Sequence, residues 1–129
     1  MKKKILIILA VLIIIFFIIY RLTIKPESVK TTYLNDNKEY KNMSSSEIKD
    51  IHINRYTEGG LDTKIVTNEE EINSLYNKLI NIKYGNETDM ACEDNTTVYI
   101  INFNDGTSKS INIECDWIII GNKRYMIEK

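Results

Sequence analysis

Apolar residues follow three different rhythms along this chain. The first is unbroken: residues 5–20 read ILIILAVLIIIFFIIY, and Leu22 and Ile24 extend the run past Arg21. A helix rises 1.5 Å per residue, so about 20 residues cross a hydrocarbon core of about 30 Å. Residues 5–24 meet that length, and the run has no polar face. Lys2, Lys3 and Lys4 precede it, while Tyr20 and Arg21 suit the far interface. Cationic flanks stay in the cytoplasm, so the N-terminus is expected inside and the remaining chain outside. A cleaved signal peptide ends in small residues. This run ends in Phe16, Phe17, Ile18, Ile19, Tyr20 and Arg21, so an uncleaved single-pass anchor over residues 1–24 is the better reading.

The second rhythm is none at all. Residues 25–46 read KPESVKTTYLNDNKEYKNMSSS, with the only proline and sparse apolar positions. That composition predicts a polar linker or stalk.

From Glu47 the pattern sharpens. Ile51 and Ile53 alternate against His52 and Asn54 in EIKDIHINRY, which predicts a strand with one buried face. Gly59 and Gly60 break it, and LDTKIVT returns as a second strand. Thr67 or Asn68 can cap a helix, with Glu70 or Glu71 at capping-box spacing. Ile72, Leu75, Tyr76, Leu79 and Ile80 then recur at the helical period. Residues 81–85 end the helix, and residues 86–95 read as an irregular polar loop.

TTVYIINF is the next strand, Asn104-Asp105-Gly106 a turn, and TSKSINIECDW the return. A two-residue turn would pair Phe103 with Ser108 and Tyr99 with Asn112. A three-residue turn pairs Tyr99 with Ile111 and Ile101 with Lys109, which puts Tyr99, Ile101, Phe103, Ile111 and Ile113 on one face. The second register is preferred. A last hairpin turns at Gly121-Asn122 and sets Ile118 opposite Tyr125. The expected order is β-β-α-β-β-β-β: an α+β fold, a small antiparallel sheet with one packed helix, over residues 47–129. That domain is expected to fold without residues 1–46.

Charge changes the picture of partners. Beyond residue 24 the chain has 13 Lys+Arg against 18 Asp+Glu, a formal charge of about -5. Nucleic-acid binders need clustered cations to displace counterions, so none is expected as a partner.

Candidate chemistry is thin. Cys92 and Cys115 are the only cysteines. The preferred register sets Asn95 opposite Cys115, so Cys92 lies three residues upstream of the pairing position. They form a candidate disulfide for a core too small to be secure alone, worth about 3 kcal/mol in the loop-entropy model. With the lone His52 they make no zinc signature, since C-x-x-C and H-x-x-x-H are both missing. His52 alternates with core isoleucines and is expected to face outward, with no positioned nucleophile. Asp89, Glu93, Asp94 and Asp116 read as a solvated acidic loop, without the D-x-D-x-D-G spacing of a calcium loop. Tyr33, Tyr40, Tyr56 and Tyr84 are expected to be exposed, and Tyr76, Tyr99, Tyr125 and Trp117 to be core. The five glycines all read as turn positions, and none forms a phosphate cradle. No catalytic residue, metal or cofactor is predicted.

The opening Glu47-Ile48-x-x-Ile51-x-Ile53, the helix start Thr67 to Ile72, Phe103-x-Asp105-Gly106, and the ending Gly121-Asn122-Lys123-x-Tyr125-x-Ile127 occur in that order. Over residues 47–129 the chain resembles small membrane-tethered or lipid-anchored domains of unknown function from low-GC Gram-positive bacteria. An Ile-, Asn- and Lys-rich composition agrees with an AT-rich coding genome. The resemblance implies location and fold. It supplies no catalytic residue, and the lipid-attachment cysteine that many members carry is missing here, with an intact apolar helix instead.

The functional expectation is a single-pass protein of the cell membrane. Residues 5–24 contact the bilayer, and the outer domain is a non-catalytic module for an unknown protein partner. The alternatives are an immunity or inhibitor protein against a toxin or enzyme, whose acidic face caps a basic partner, and a thiol redox enzyme using Cys92 and Cys115. A spacing of 23 residues suits a structural bridge better than a redox pair.

Overall fold

The computed structural model describes residues 2–23, 30–92 and 94–129. Helix α1 spans Lys2–Thr23, and its 22 residues give a length of about 33 Å. Its most apolar window has a mean hydropathy of 3.2, and none of that window is buried. It is long and apolar enough to cross a membrane. Arg21 lies in the last turn, where a cation meets the negative end of the helix dipole. Ile24 and the first residues of the expected stalk lie outside the described residues.

The rest is α+β. Strands β1 (Thr32–Tyr33), β2 (Ile48–Thr57) and β3 (Gly60–Val66) precede helix α2 (Glu69–Ile80). Strands β4 (Lys83–Thr88), β5 (Thr96–Phe103), β6 (Ser108–Glu114), β7 (Trp117–Ile120) and β8 (Lys123–Ile127) follow it. All eight form one sheet in the order β1-β4-β8-β7-β6-β5-β2-β3, and every pairing is antiparallel.

Local chemistry accounts for the expected elements. The Asn68 side chain accepts from the N–H groups of Glu70 (2.9 Å) and Glu71 (3.2 Å), so Asn68 is the helix cap. Glu69, Glu70 and Glu71 occupy the first turn, at the positive end of the dipole. Ile72, Tyr76 and Leu79 are the buried stripe. At the β5–β6 turn Gly106 takes φ 86°, and the Phe103 N–H donates to the Thr107 carbonyl at 2.9 Å. Tyr99 therefore stands opposite Ile111 and Ile101 opposite Lys109, the three-residue register. Ile118 stands opposite Tyr125.

Two additions go beyond the six strands expected. β4 falls where the sequence predicts the end of the helix and the start of a loop. It contains one apolar residue, Tyr84, and its register shifts between Tyr84 and Glu87. Gly85 thus sits inside a strand at an irregularity, where the backbone departs from regular pairing. The other is β1, from within the expected stalk.

The stalk reading also needs correcting from Thr32 onward. Leu34 is fully buried and Tyr40 is 5% exposed, and both belong to the core with Ile51, Ile101, Ile111 and Ile118. The Leu34 N–H donates to the Ile82 carbonyl (2.8 Å). The Tyr40 hydroxyl donates to the Ser110 carbonyl (3.0 Å), and the Tyr76 hydroxyl to the Met43 carbonyl (2.8 Å). The folded unit therefore starts upstream of Glu47. A few well-placed apolar side chains in a polar stretch are enough, because their burial needs no period.

Two outcomes follow from this packing. A fragment of residues 30–129 is expected to unfold cooperatively, whereas one of residues 47–129 loses Leu34 and Tyr40 from its core. In the longer fragment Leu34→Ala should cost about 2–5 kcal/mol in denaturant unfolding. The second outcome concerns pH. Burial, and then the nearby Glu39 and Tyr84, push the Tyr40 hydroxyl pKa up; burial, and then Glu47, do the same for Tyr76. The folded state thus holds these protons longer than the unfolded chain. Their contribution is complete below the ordinary tyrosine value of about 10 and declines as pH rises through it. Unfolding midpoints taken across that range should fall more steeply for the native sequence than for Tyr40→Phe/Tyr76→Phe.

Candidate functional site

The sheet is dry on one side only. Buried strand residues such as Ile51, Val66, Ile101, Ile111 and Ile118 all lie on the side that packs against α2 and the 34–46 segment. The opposite side has no fully buried residue. Cross-strand pairing arranges that open side in rows. One row runs Leu61, Tyr56, Thr96, Glu114, Trp117, Met126. The next runs Thr63, Asn54, Val98, Asn112, Ile119, Arg124. Several members are large and apolar: Leu61 (59%), Met126 (48%) and Tyr56 (46%) are well exposed, as is Ile65 (53%) opposite His52 in the row beyond. In the first row Leu61 and Tyr56 sit together at one end and Trp117 and Met126 at the other, with Thr96 and Glu114 between, and grouped apolar side chains mark interaction sites more often than single ones do.

Polar groups punctuate it. Arg124 Nε donates to Glu114 Oε2 at 2.9 Å across β7, and this pair is half-buried. Nearby, Asn112 Oδ1 and Trp117 Nε1 are buried without a hydrogen-bond partner. A recess of about 390 Å³ opens where β7 ends, lined by Glu39, Tyr40, Lys109, Ser110, Asn112, Ile119 and Gly121. Lys109 Nζ donates to the Glu39 carbonyl and lies 5.8 Å from the centre of the Tyr40 ring.

His52 faces this open side, as expected, and its Nε2 lies 3.1 Å from Asp50 Oδ1. Asn102 Nδ2 donates to the same oxygen at 2.6 Å. The cross-strand neighbours of His52 are Ile65 and Ile100, so no nucleophile stands beside it there.

Cys92 and Cys115 are joined in a disulfide with a Cα separation of 6.1 Å. The Cys115 N–H donates to the Asn95 carbonyl at 2.8 Å, so the expected Asn95–Cys115 pairing holds and residue 92 folds back to reach it. Cys115 takes φ 50° in the tight turn between Glu114 and Trp117. Of the acidic neighbourhood, Asp116 pairs with Lys129 at 3.2 Å, and Glu93 lies outside the described residues. Among the described residues no group of three His, Cys, Asp or Glu side chains could hold a metal ion.

The tyrosine expectations need partial correction. Tyr33 and Tyr56 are exposed at 46% each, but Tyr40 and Tyr84 are buried at 5% and 8%. The Tyr84 ring packs against Tyr125 with centroids 5.3 Å apart, and its hydroxyl accepts from Asn37 Nδ2. Trp117, expected in the core, is half-buried on the open side instead. Its neighbours Ile118 and Ile120 are the residues of β7 that enter the core, so alternation along β7 carries the signal. Searches of family models, curated proteins and solved structures find no match to the chain.

Removing the bridge with Cys92→Ser/Cys115→Ser should lower unfolding free energy by about 3 kcal/mol while leaving far-UV circular dichroism unchanged. The bridge closes a loop of 23 residues between sheet elements that remain hydrogen-bonded without it.

Proposed function

We propose that the chain is a membrane-tethered extracytoplasmic binding module, non-catalytic, whose open sheet side receives a protein partner. The observation that carries this reading is the one-sidedness of the sheet. The eight-stranded sheet is covered on one side by α2 and the 34–46 segment, while the other keeps exposed leucine, isoleucine, methionine and tyrosine side chains in a hydrogen-bonded frame. The cationic N-terminal flank supports an inside N-terminus. The disulfide supports an oxidising compartment for the domain. The resemblance to small tethered domains of low-GC Gram-positive bacteria points to the same location.

The test has two arms in cells carrying the full chain. A membrane-impermeant maleimide should label intact cells only after reductant, because the two thiols are outside and bridged. Labelling confined to lysed cells, even after reduction, would place the domain inside and overturn the topology. A photo-reactive residue at Thr96, on the open side, should capture a discrete protein that the same residue at Lys78, on α2, does not. Equal capture at both positions would remove the open side as the docking surface.

A further inference from the structure

The sheet has two edges, and they differ. At one, β1 is only two residues long, Thr32–Tyr33. At the other, β3 is seven residues long, and all but Val66 are exposed. β3 contains no proline and pairs with β2 without a register shift. Edges of that length are normally blunted, because they offer unpaired backbone groups to any other strand.

The direction in which β3 offers those groups is fixed by the sheet. Backbone bonds from Phe103 to Thr107 and from Cys115 to Asn95 tie the odd-numbered residues of β5 to β6. Alternation then ties the even-numbered residues of β5 to β2, and the odd-numbered residues of β2 to β3. Leu61, Thr63 and Ile65 stand opposite the even-numbered Tyr56, Asn54 and His52. The N–H and C=O groups of these three residues therefore point outward. Their side chains lie on the open side, while Asp62 and Lys64 lie on the helix side.

We propose that two copies of the chain join edge to edge through β3, antiparallel, about a two-fold axis at Thr63. In this register Thr63 faces its own copy, Leu61 faces Ile65 of the other copy, and Asp62 faces Lys64. All three outward-turned residues then exchange both backbone bonds, and both apolar positions of the edge gain an apolar neighbour. Charge selects this register over its neighbours. Slipping by two residues one way sets Asp62 against Asp62, and the other way sets Lys64 against Lys64. Like charges directly opposite are unfavourable, whereas opposite charges contribute. Lys64 is free to respond, since its own partner Glu71 is 3.9 Å away and both side chains are exposed. A self-complementary patch of this kind is what a two-fold interface requires. The pairing brings both open sides onto one surface and both helices onto the other.

A seven-residue strand pair is smaller than a standard interface of about 1,600 Å². A helix that confines copies to one membrane raises their effective concentration and offsets that shortfall.

The test uses the full chain in phosphatidylcholine vesicles under mild oxidation, read on non-reducing gels. Residues facing each other as a hydrogen-bonded antiparallel pair are about 5.5 Å apart at Cα, within disulfide reach. Thr63→Cys should give a covalent dimer, and Ser108→Cys, exposed on β6, should give only the yield of random collision. Adding Asp62→Lys to Thr63→Cys should lower the dimer yield roughly tenfold, because two attractive cross-strand pairs become repulsive. Adding Lys64→Asp as well should restore it, which simple misfolding would not allow. Equal yields at positions 63 and 108, or a double charge swap that fails to restore cross-linking, would overturn the proposal.

Discussion

One pairing decides which side of this sheet is dry: Tyr99 opposite Ile111. Had the β5–β6 turn closed with two residues, Tyr99 would face Asn112, and the two strands would present their apolar rows to opposite sides. Gly106 at φ 86° allows the three-residue turn, and a residue with a Cβ would be strained there. Strand parity then propagates in both directions. It sends Ile51 and Val66 inward on one flank and Ile118 and Tyr125 inward on the other. The covered side, the open side and the outward-turned groups of β3 all follow from that alternation.

A sheet with one dry side still needs a cover larger than a twelve-residue helix can supply. α2 buries only Ile72, Tyr76 and Leu79. The 34–46 segment completes the cover at low cost in apolar residues, by pinning two of them with backbone and hydroxyl hydrogen bonds. Tyr40 closes a strand end, since its hydroxyl meets the Ser110 carbonyl beyond the point where β7 pairs with β6. The raised hydroxyl pKa values of Tyr40 and Tyr76 report the same fact in electrostatic terms: both rings are held where an anion is poorly solvated. At the far end the Cys92–Cys115 bridge ties the entry of β5 to the β6–β7 turn. Segment, helix and bridge together constrain a domain whose core is too small to waste any of them.

The parts legible in the sequence are those with a period or a turn residue. The α2 stripe, its start at a cap of Thr67 or Asn68, and the two hairpins with their registers are readable, because a one-residue error in stripe or register would send isoleucines into water. The transmembrane-length run of α1 was readable from composition alone. The 34–46 cover was not, since Leu34 and Tyr40 have no apolar neighbours at regular spacing and earn burial only through tertiary contacts. β4 was missed because its pairing is set by β8 and β1, and its single apolar residue, Tyr84, gives no alternation to read. The open side was partly legible. The β5–β6 register puts Asn112 away from the core, whereas Trp117, expected in the core, turns to the open side because Ile118 beside it points inward.

The open side and the β3 edge pose one physical problem in two directions. Apolar side chains project perpendicular to the sheet, and unpaired backbone groups project within its plane. A soluble domain meets random neighbours from every direction and has to blunt both. Held in a bilayer by a helix of that length and composition, the domain would meet copies of itself in a restricted set of orientations. Under that restriction the charges of β3 act as a filter and not only as a deterrent. Asp62 and Lys64 oppose most strands that approach the edge, and accept the one whose own charges are reversed in order. The same two residues that discourage indiscriminate pairing thereby specify a single register, so solubility and selectivity at this edge have one cause.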